Sequence, residues 1–254
     1  MNTISLSVQH LNKSFGGVAA TQDVSMDFAQ GSLTAIIGPN GAGKTTFFNL
    51  ISGALKPDSG KVLLEGDDIT RMSSAQIVTK GIGRAFQVAK LFKTLTVEES
   101  LRAALMSPAG KSTNLMRRFP MAETRARADE TMQLLGLTSM AKTVTGNLSH
   151  GDQKLMDIAL ALAMKPKVLL LDEPIAGMGP EERTKMIDTV YRLWQKGGLT
   201  LIFIEHDMDI VFRIAQYVNV LCYGKLLAQG TPDQIRNNPA VIEAYLGVAH
   251  GEVV

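Results

Sequence analysis

An α/β fold with a mostly parallel central sheet, an N-terminal antiparallel β portion and an inserted α-helical segment is what this 254-residue sequence predicts, on three observations. Gly38-Pro39-Asn40-Gly41-Ala42-Gly43-Lys44-Thr45 completes a phosphate-binding loop pattern set between an apolar strand and a helix. Residues 168–171 and 199–204 are continuous apolar runs, the mark of strands covered on both faces, with a helical pattern between them. Residues 87–164, by contrast, read as helix after helix with few β-branched runs.

The chain opens with β structure. Alternation in Ile4, Leu6 and Val8, and again in Val24, Met26 and Phe28, predicts two half-buried antiparallel strands. Residues 33–37 form the buried strand that leads into the loop, and 46–54 the helix after it. Residues 61–65 form another strand, 73–80 a short helix whose Gly81 suits a left-handed C-terminal cap, and 82–86 a further strand. Thr96-Val97-Glu98-Glu99 is a capping box opening a helix with Val97, Leu101 and Leu105 on one face. Residues 121–135 form the next helix, ended by Gly136, and 107–120 read as the loop before it. Leu155, Ile158, Ala159 and Leu162 share a face of a helix that Pro166 stops. Pro180, Glu181 and Glu182 start a helix carrying Met186, Val190 and Leu193 on one face and ending at Gly197. Residues 239–247 read as a short amphipathic helix.

Lys plus Arg number 26 against 24 Asp plus Glu, and the formal charge of +2 gives no electrostatic ground for wholesale nucleic-acid binding. A chain of this length can bury about 70–75% of its unfolded surface, so a real core is expected. Cys222, the single cysteine, lies in an apolar strand-like run, forms no internal disulfide and fits a reducing compartment. No run reaches the about 18 apolar residues of a spanning helix, and residues 1–5 lack the blocks of a signal peptide. The expectation is a cytosolic chain, or one peripheral on a membrane's cytosolic face.

The loop spacing has a mechanical reason. Glycines let successive backbone N–H groups curl around a polyphosphate, and the following helix points its positive end at the same anion. Lys44 then reaches the outer phosphates, and the Thr45 hydroxyl is placed on the magnesium ion that bridges them, a hard cation needing only one or two protein oxygens. A bound nucleoside triphosphate is therefore expected. Asp172 and Glu173 follow the strand at 168–171, where α/β sheets bind ligands beyond their strand ends. Asp172 would hold the metal shell directly or through water, while Glu173 would polarise the water that attacks the terminal phosphate; capping the next helix is their alternative use. His206 ends the next apolar strand, from where an imidazole could stabilise charge on the terminal phosphate, or cap a helix. Leu148-Ser149-His150-Gly151-Asp152-Gln153-Lys154 precedes the helix of Leu155 as a second exposed helix N-terminus, where Ser149 read alone is an ordinary N-cap.

In order, the phosphate loop, Gln87, a serine-glycine helix start, two acids and a histidine resemble the ATP-binding subunit of an ABC (ATP-binding cassette) transporter, over nearly the whole chain. The resemblance implies a P-loop NTPase fold of the ABC ATPase type. It implies one domain over 1–254, with 1–86 and 165–254 as catalytic core and 87–164 as helical subdomain, and ATP with Mg2+ as ligands. Nucleotide contacts would come from Gly38, Pro39, Asn40, Gly41, Ala42, Gly43, Lys44, Thr45 and Thr46. Gln87 matches the glutamine that senses magnesium and the attacking water, and would share the metal with Thr45 and Asp172 and the catalytic work with Glu173 and His206. Phe15 matches the aromatic that stacks on adenine, an ordinary core phenylalanine being the alternative.

By the same likeness Leu148, Ser149, His150, Gly151 and Asp152 match the signature motif. Ser149 and Gly151 would contact the terminal phosphate of ATP held by the opposite protomer, so each site is made of two halves. His150, Asp152 and Gly179 depart from the commonest pattern of glycine, glutamine and aspartate. The first two look like a variant seen in importers of the branched-chain, or hydrophobic, amino-acid class, as do Ala176-Gly177-Met178-Gly179-Pro180 and residues 239–247. Gly179 leaves the usual cross-dimer aspartate contact without its carboxylate. Arg84, Val88 and Leu91 are candidates, by resemblance, for a permease-facing groove.

The implied protein is a peripheral ATPase on the cytoplasmic face of the cell membrane. It would work as a homodimer, or a heterodimer with a homologous ATPase subunit, on membrane permease subunits beside a separate substrate-binding protein, with no nucleic acid. ATP binding would close the pair and hydrolysis reset it. A soluble ABC-type ATPase acting on DNA or ribosomes would share these motifs; near-neutral charge, a single cassette and no long coiled-coil insertion stand against it. Glu173 and His206 stand against a mere nucleotide sensor. Lys111, Arg117 and Arg118, beside Leu115 and Phe119, read as a solvated loop, with lipid headgroups or a partner as the alternative.

Overall fold

The structure is a computed structural model that describes residues 3–85, 93–106, 121–196 and 198–249. Ile4–Phe15 (β1) and Val18–Ala29 (β2) pair antiparallel, with Leu6, Val8, Leu11, Val24, Met26 and Phe28 buried as the alternation requires. Leu33–Ile37 (β3), buried throughout, leads to the helix Lys44–Ile51 (α1). The helix begins two residues earlier than the sequence reading and stops at Ile51, because Gly53, at φ 71, breaks its run. Ser59–Leu64 (β4) and the short Asp67–Asp68 (β5) then complete a four-stranded antiparallel sheet of order β2-β1-β4-β5.

Ser74–Lys80 (α2) carries a capping box between Ser73 and Gln76 and ends on Gly81 at φ 120. Ile82–Ala85 (β6) follows. The helical segment contains Val97–Met106 (α3), Met121–Leu135 (α4) and His150–Ala163 (α5). The box at the start of α3 is formed: Thr96 N–H donates to Glu99 Oε2 at 2.8 Å. Val168–Asp172 (β7), Pro180–Lys196 (α6), Thr200–Ile204 (β8), Met208–Ile214 (α7), Tyr217–Cys222 (β9), Lys225–Gly230 (β10), Pro232–Arg236 (α8) and Pro239–Ala249 (α9) complete the chain. Phe86 at the end of the expected strand, the expected 107–120 loop with Lys111, Leu115, Arg117, Arg118 and Phe119, and the expected helix end at Gly197 lie outside the described residues.

The second sheet has order β10-β9-β3-β8-β7-β6, parallel except where β10 pairs antiparallel with β9. Its continuous apolar runs are explained by what covers each face. Leu33, Ala35, Ile37, Leu169, Leu171, Leu201 and Phe203 join one core with α3, α4, α5, α6 and α7. Ile36, Val168, Leu170, Ile202 and Ile204 join a second core with Phe47, Phe48 and Ile51 of α1 and the inner face of the antiparallel sheet. With neither face wet, alternation vanishes from the sequence although it persists in the packing. Every parallel strand of this sheet therefore delivers its C-terminal end to the same edge, where the loop residues meet.

Candidate active site

The loop 38–43 leaves β3 in a conformation that only glycine supplies cheaply at two points. Gly38 has φ 151 and Gly43 φ 96, and a Cβ on them would run into the carbonyl oxygens of Leu221 and Ala20 respectively. Gly43 is also the N-cap of α1, with no side-chain cap, so the first amides of α1 are left to the loop's concavity. Lys44, 6% exposed, folds over it, donating from Nζ to Gly38 O at 2.7 Å and Pro39 O at 2.9 Å. Burial lowers its ammonium pKa, while the nearby Glu173 and Asp172 carboxylates pull it back. The Thr45 residue is exposed and Thr46 half-buried, while Asn40 and Gly41 are exposed at the rim beside buried Pro39 and Ala42.

From α9 Tyr245 reaches the same loop. Burial pushes its hydroxyl up to about 12, and a hydrogen bond with the Gly38 backbone opposes that rise. Phe15, at the end of β1, is 47% exposed with the Lys13 ammonium 5.5 Å from its ring centroid. It is no core residue, which removes the alternative the sequence left open.

Asp172 and Glu173 stand together at the end of β7, yet their settings differ. Asp172 Oδ2 accepts from the Arg84 guanidinium at 2.8 Å, both side chains less than a tenth exposed. Arg84 also donates to Asn49 Oδ1 at 2.7 Å and Ser52 Oγ at 3.1 Å and lies over the Phe48 ring, so it ties β6 and β7 to α1. A groove-facing Arg84 is thus corrected: its charge is turned inward to a buried carboxylate. Glu173 has left-handed backbone, φ 48, which swings its side chain out of the strand direction. Its N–H donates to Ile204 O at 3.0 Å, joining it to the end of β8. Its Oε1 lies 2.7 Å from His206 Nε2. The imidazole, which from sequence could serve a phosphate or cap a helix, lies against the neighbouring carboxylate.

Glu205, 4% exposed, is a residue that the sequence does not single out. It accepts from Ile175 N–H at 2.9 Å and His206 N–H at 3.3 Å, and burial pushes its pKa up to about 7 against those bonds. It anchors both loops that carry Glu173 and His206. Lys154 sits beneath them, 6% exposed, and donates to Glu173 O at 2.6 Å and Ala176 O at 3.0 Å. Neither role is legible in sequence, since each depends on segments distant in the chain, α5 and the loop after β7 for Lys154, the loops after β7 and β8 for Glu205.

The helix after Leu148 begins at His150, four residues earlier than Lys154, because Ser149 is its N-cap. The Ser149 hydroxyl accepts from Asp152 N–H at 3.1 Å and donates to Asp152 Oδ2 at 2.8 Å. Leu148 and Gly151 are buried, while His150 is exposed with its Nε2 close to Gly177. These residues cap their own helix and meet none of Lys44, Asp172 or Glu173 among the described bonds. Gln87, Val88 and Leu91 lie outside the described residues.

The donor set suits a hard divalent cation only in company. Thr45 and Asp172 offer oxygens, and among the described residues no group of three His, Cys, Asp or Glu could hold a metal by itself. No helix of the described residues is long and apolar enough to cross a membrane.

The model of the ABC transporter family matches residues 21–176, and that of a branched-chain amino acid ATP-binding cassette transporter matches 225–251. The chain is 38% identical over 250 residues to the high-affinity branched-chain amino acid transport ATP-binding protein LivG of Escherichia coli K12, covering 96% of this chain and 98% of the relative. It is 36% identical over 252 residues to BraF of Pseudomonas aeruginosa, which carries the same description, with coverage of 96% and 98%. Among solved structures, the ADP conformation of MJ1267, an ATP-binding cassette of an ABC transporter, superposes with a TM-score of 0.83 at 33% identity, over 96% of this chain and 99% of that one.

Proposed function

The chain belongs to the ABC transporter family, and on that premise we propose that it is the ATP-hydrolysing subunit of a membrane importer for branched-chain or other hydrophobic amino acids. The observation that carries the chemistry is Glu173 on a left-handed turn with His206 Nε2 at 2.7 Å, beside the uncapped start of α1. The substrate class is supported by the relatives' descriptions and by the match over 225–251.

The loop amides of 38–46 and Lys44 bind the phosphates, and exposed Phe15 stacks on the adenine. Thr45 and Asp172, with Gln87, would hold Mg2+, which when bound would neutralise phosphate charge. Arg84 keeps Asp172 in place. Glu173 accepts a proton from the attacking water; His206, holding Oε1, fixes the direction of that carboxylate, so Oε2 faces the water. The start of α5, with Leu148, Ser149, His150, Gly151 and Asp152, serves the nucleotide of a second copy or of a homologous subunit. The pair works against permease subunits at the cytoplasmic face of the membrane, with a separate substrate-binding protein delivering the cargo.

Glu173→Gln is the test. The variant is expected to retain ATP binding while hydrolysis slows by about 10² to 10⁴, the usual worth of a positioned base. Purified with ATP from gently solubilised membranes, it should bring a multi-span permease, and its expression in place of the native chain should abolish uptake of radiolabelled leucine. Unchanged turnover removes Glu173 from the role. Ribosomal or DNA-processing partners in the soluble fraction would replace the transporter reading.

A further inference from the structure

Lys154 is a charged residue with 6% exposure whose described bonds are to backbone carbonyls, Glu173 O at 2.6 Å and Ala176 O at 3.0 Å, with no carboxylate in ion-pair reach among the described residues. Burying an ammonium is costly, and burial indeed lowers its pKa, opposed by Glu205, Glu173, Asp157 and Asp172 at longer range. The position calls for a reason beyond packing, because a methionine of similar length would fill the space without that cost.

The carbonyl it grips is that of Glu173, whose φ of 48 a non-glycine residue rarely holds without support. The support is visible on both sides of the residue. Its N–H is tied to Ile204 O at 3.0 Å, and its carbonyl takes Ala176 N–H at 3.2 Å together with the Lys154 ammonium. Release of the ammonium leaves the turn held by one weak loop bond on its carbonyl side. Lys154 also lies one turn inside α5, the helix that starts at His150, and His150 Nε2 packs close to Gly177 in the same loop. Two contacts on one helix face thus join the start of α5 to residues 173–177.

We propose that Lys154 is a positioning residue that couples the two nucleotide sites of the dimer: the helix whose N-terminus serves the partner's ATP grips, one turn in, the backbone carbonyl of its own chain's general base. A displacement of α5 on engaging the partner's phosphate is passed through the ammonium to the left-handed turn, and so to the aim of the Glu173 carboxylate. Hydrolysis at one site then depends on engagement at the other. The proposal rests on the paired-subunit reading above.

The test is amide hydrogen exchange on the full chain carrying Glu173→Gln, with and without Mg-ATP, in parallel with the same chain carrying Lys154→Met or Lys154→Arg. With Lys154 intact, Mg-ATP is expected to protect the amides at 150–153 and at 174–178 together. Lys154→Met should keep protection at 150–153 and lose the change at 174–178, and Lys154→Arg should restore it. On the chain with Glu173 intact, Lys154→Met should lower kcat by about tenfold, as loss of one to two kcal/mol of positioning implies, with the KM for ATP within about threefold. A Lys154→Met chain that melts as the parent does and protects both segments overturns the proposal. Loss of protection at both segments also overturns it, since the lysine then merely builds the helix start. If the Lys154-intact chain protects only 38–46 and never 150–153, the paired-site reading itself fails, and the coupling with it.

Discussion

Two helix N-termini, those of α1 and α5, are finished in opposite ways. At α1 the N-cap is Gly43, without a side chain to satisfy the first amides, and the loop before it bends through two left-handed glycines. At α5 the N-cap is Ser149, whose hydroxyl is committed on both sides to Asp152. An end left open by its own sequence is ready for an anion, whereas an end closed by its own side chain must exchange that bond for a ligand. The open end gathers its loop amides and Lys44 within one chain. On the paired-subunit proposal, the closed end acquires its role only opposite another nucleotide.

Lys44→Ala attacks the open end and has the largest expected effect. Removing a charge-assisted donor from the phosphate cradle should weaken ATP binding by about 10²-fold, near 3 kcal/mol, as measured by titration of the isolated chain. An affinity within a few-fold of the parent would mean that the loop amides alone do the binding.

Asp157→Asn probes the interior of the closed helix. Asp157 is 5% exposed on α5, and burial pushes its carboxyl up to about 7, with Lys154 opposing. The folded chain holds this proton between the ordinary carboxylate range and about 7 while the unfolded chain has lost it, so stability falls as pH rises through that window. The variant should therefore gain about 1–2 kcal/mol over the parent at pH 8, and little at pH 4, in denaturant melts. An equal gain at both pH values would remove titration as the cause.

Ser149→Ala has the smallest expected effect on the lone chain. Loss of the cap should cost about 1 kcal/mol, a melting shift of about 2–4 °C for a domain of this size, with ATP affinity of the isolated chain unchanged. Turnover, which needs the second half-site, should fall by more than that shift explains. A tenfold loss of ATP affinity in the dilute chain would break the contrast between the two ends.

Most of the open end was legible. The spacing of Gly38, Gly41, Gly43 and Lys44 encodes a conformation residue by residue, and the acids at 172–173 follow a strand that its own apolar run announces. The position of His206 is legible but its bond to Glu173 is not, because sequence shows that strand ends align at one edge but not which side chains touch there. Arg84 was misread as outward-facing for the same reason. Its partners Asn49, Ser52 and Asp172 come from two other elements, and a lone arginine on a strand announces neither. The covered runs of β3, β7 and β8 betrayed burial on both faces but hid which residues face which core.

What the sequence by itself determined is local. It set the turn geometry of the phosphate loop, the caps at Ser73, Thr96 and Ser149, and the order of strands and helices, since each depends on residues within a few positions of one another. What only the tertiary structure decided is the pairing of charges. Lys154 lies 19 positions from the Glu173 carbonyl it holds and Glu205 30 from the Ile175 amide, while Arg84 lies 88 from Asp172. A buried charge is tolerated only where a partner arrives from elsewhere in the fold, and the chain's periodicity carries no record of that arrival.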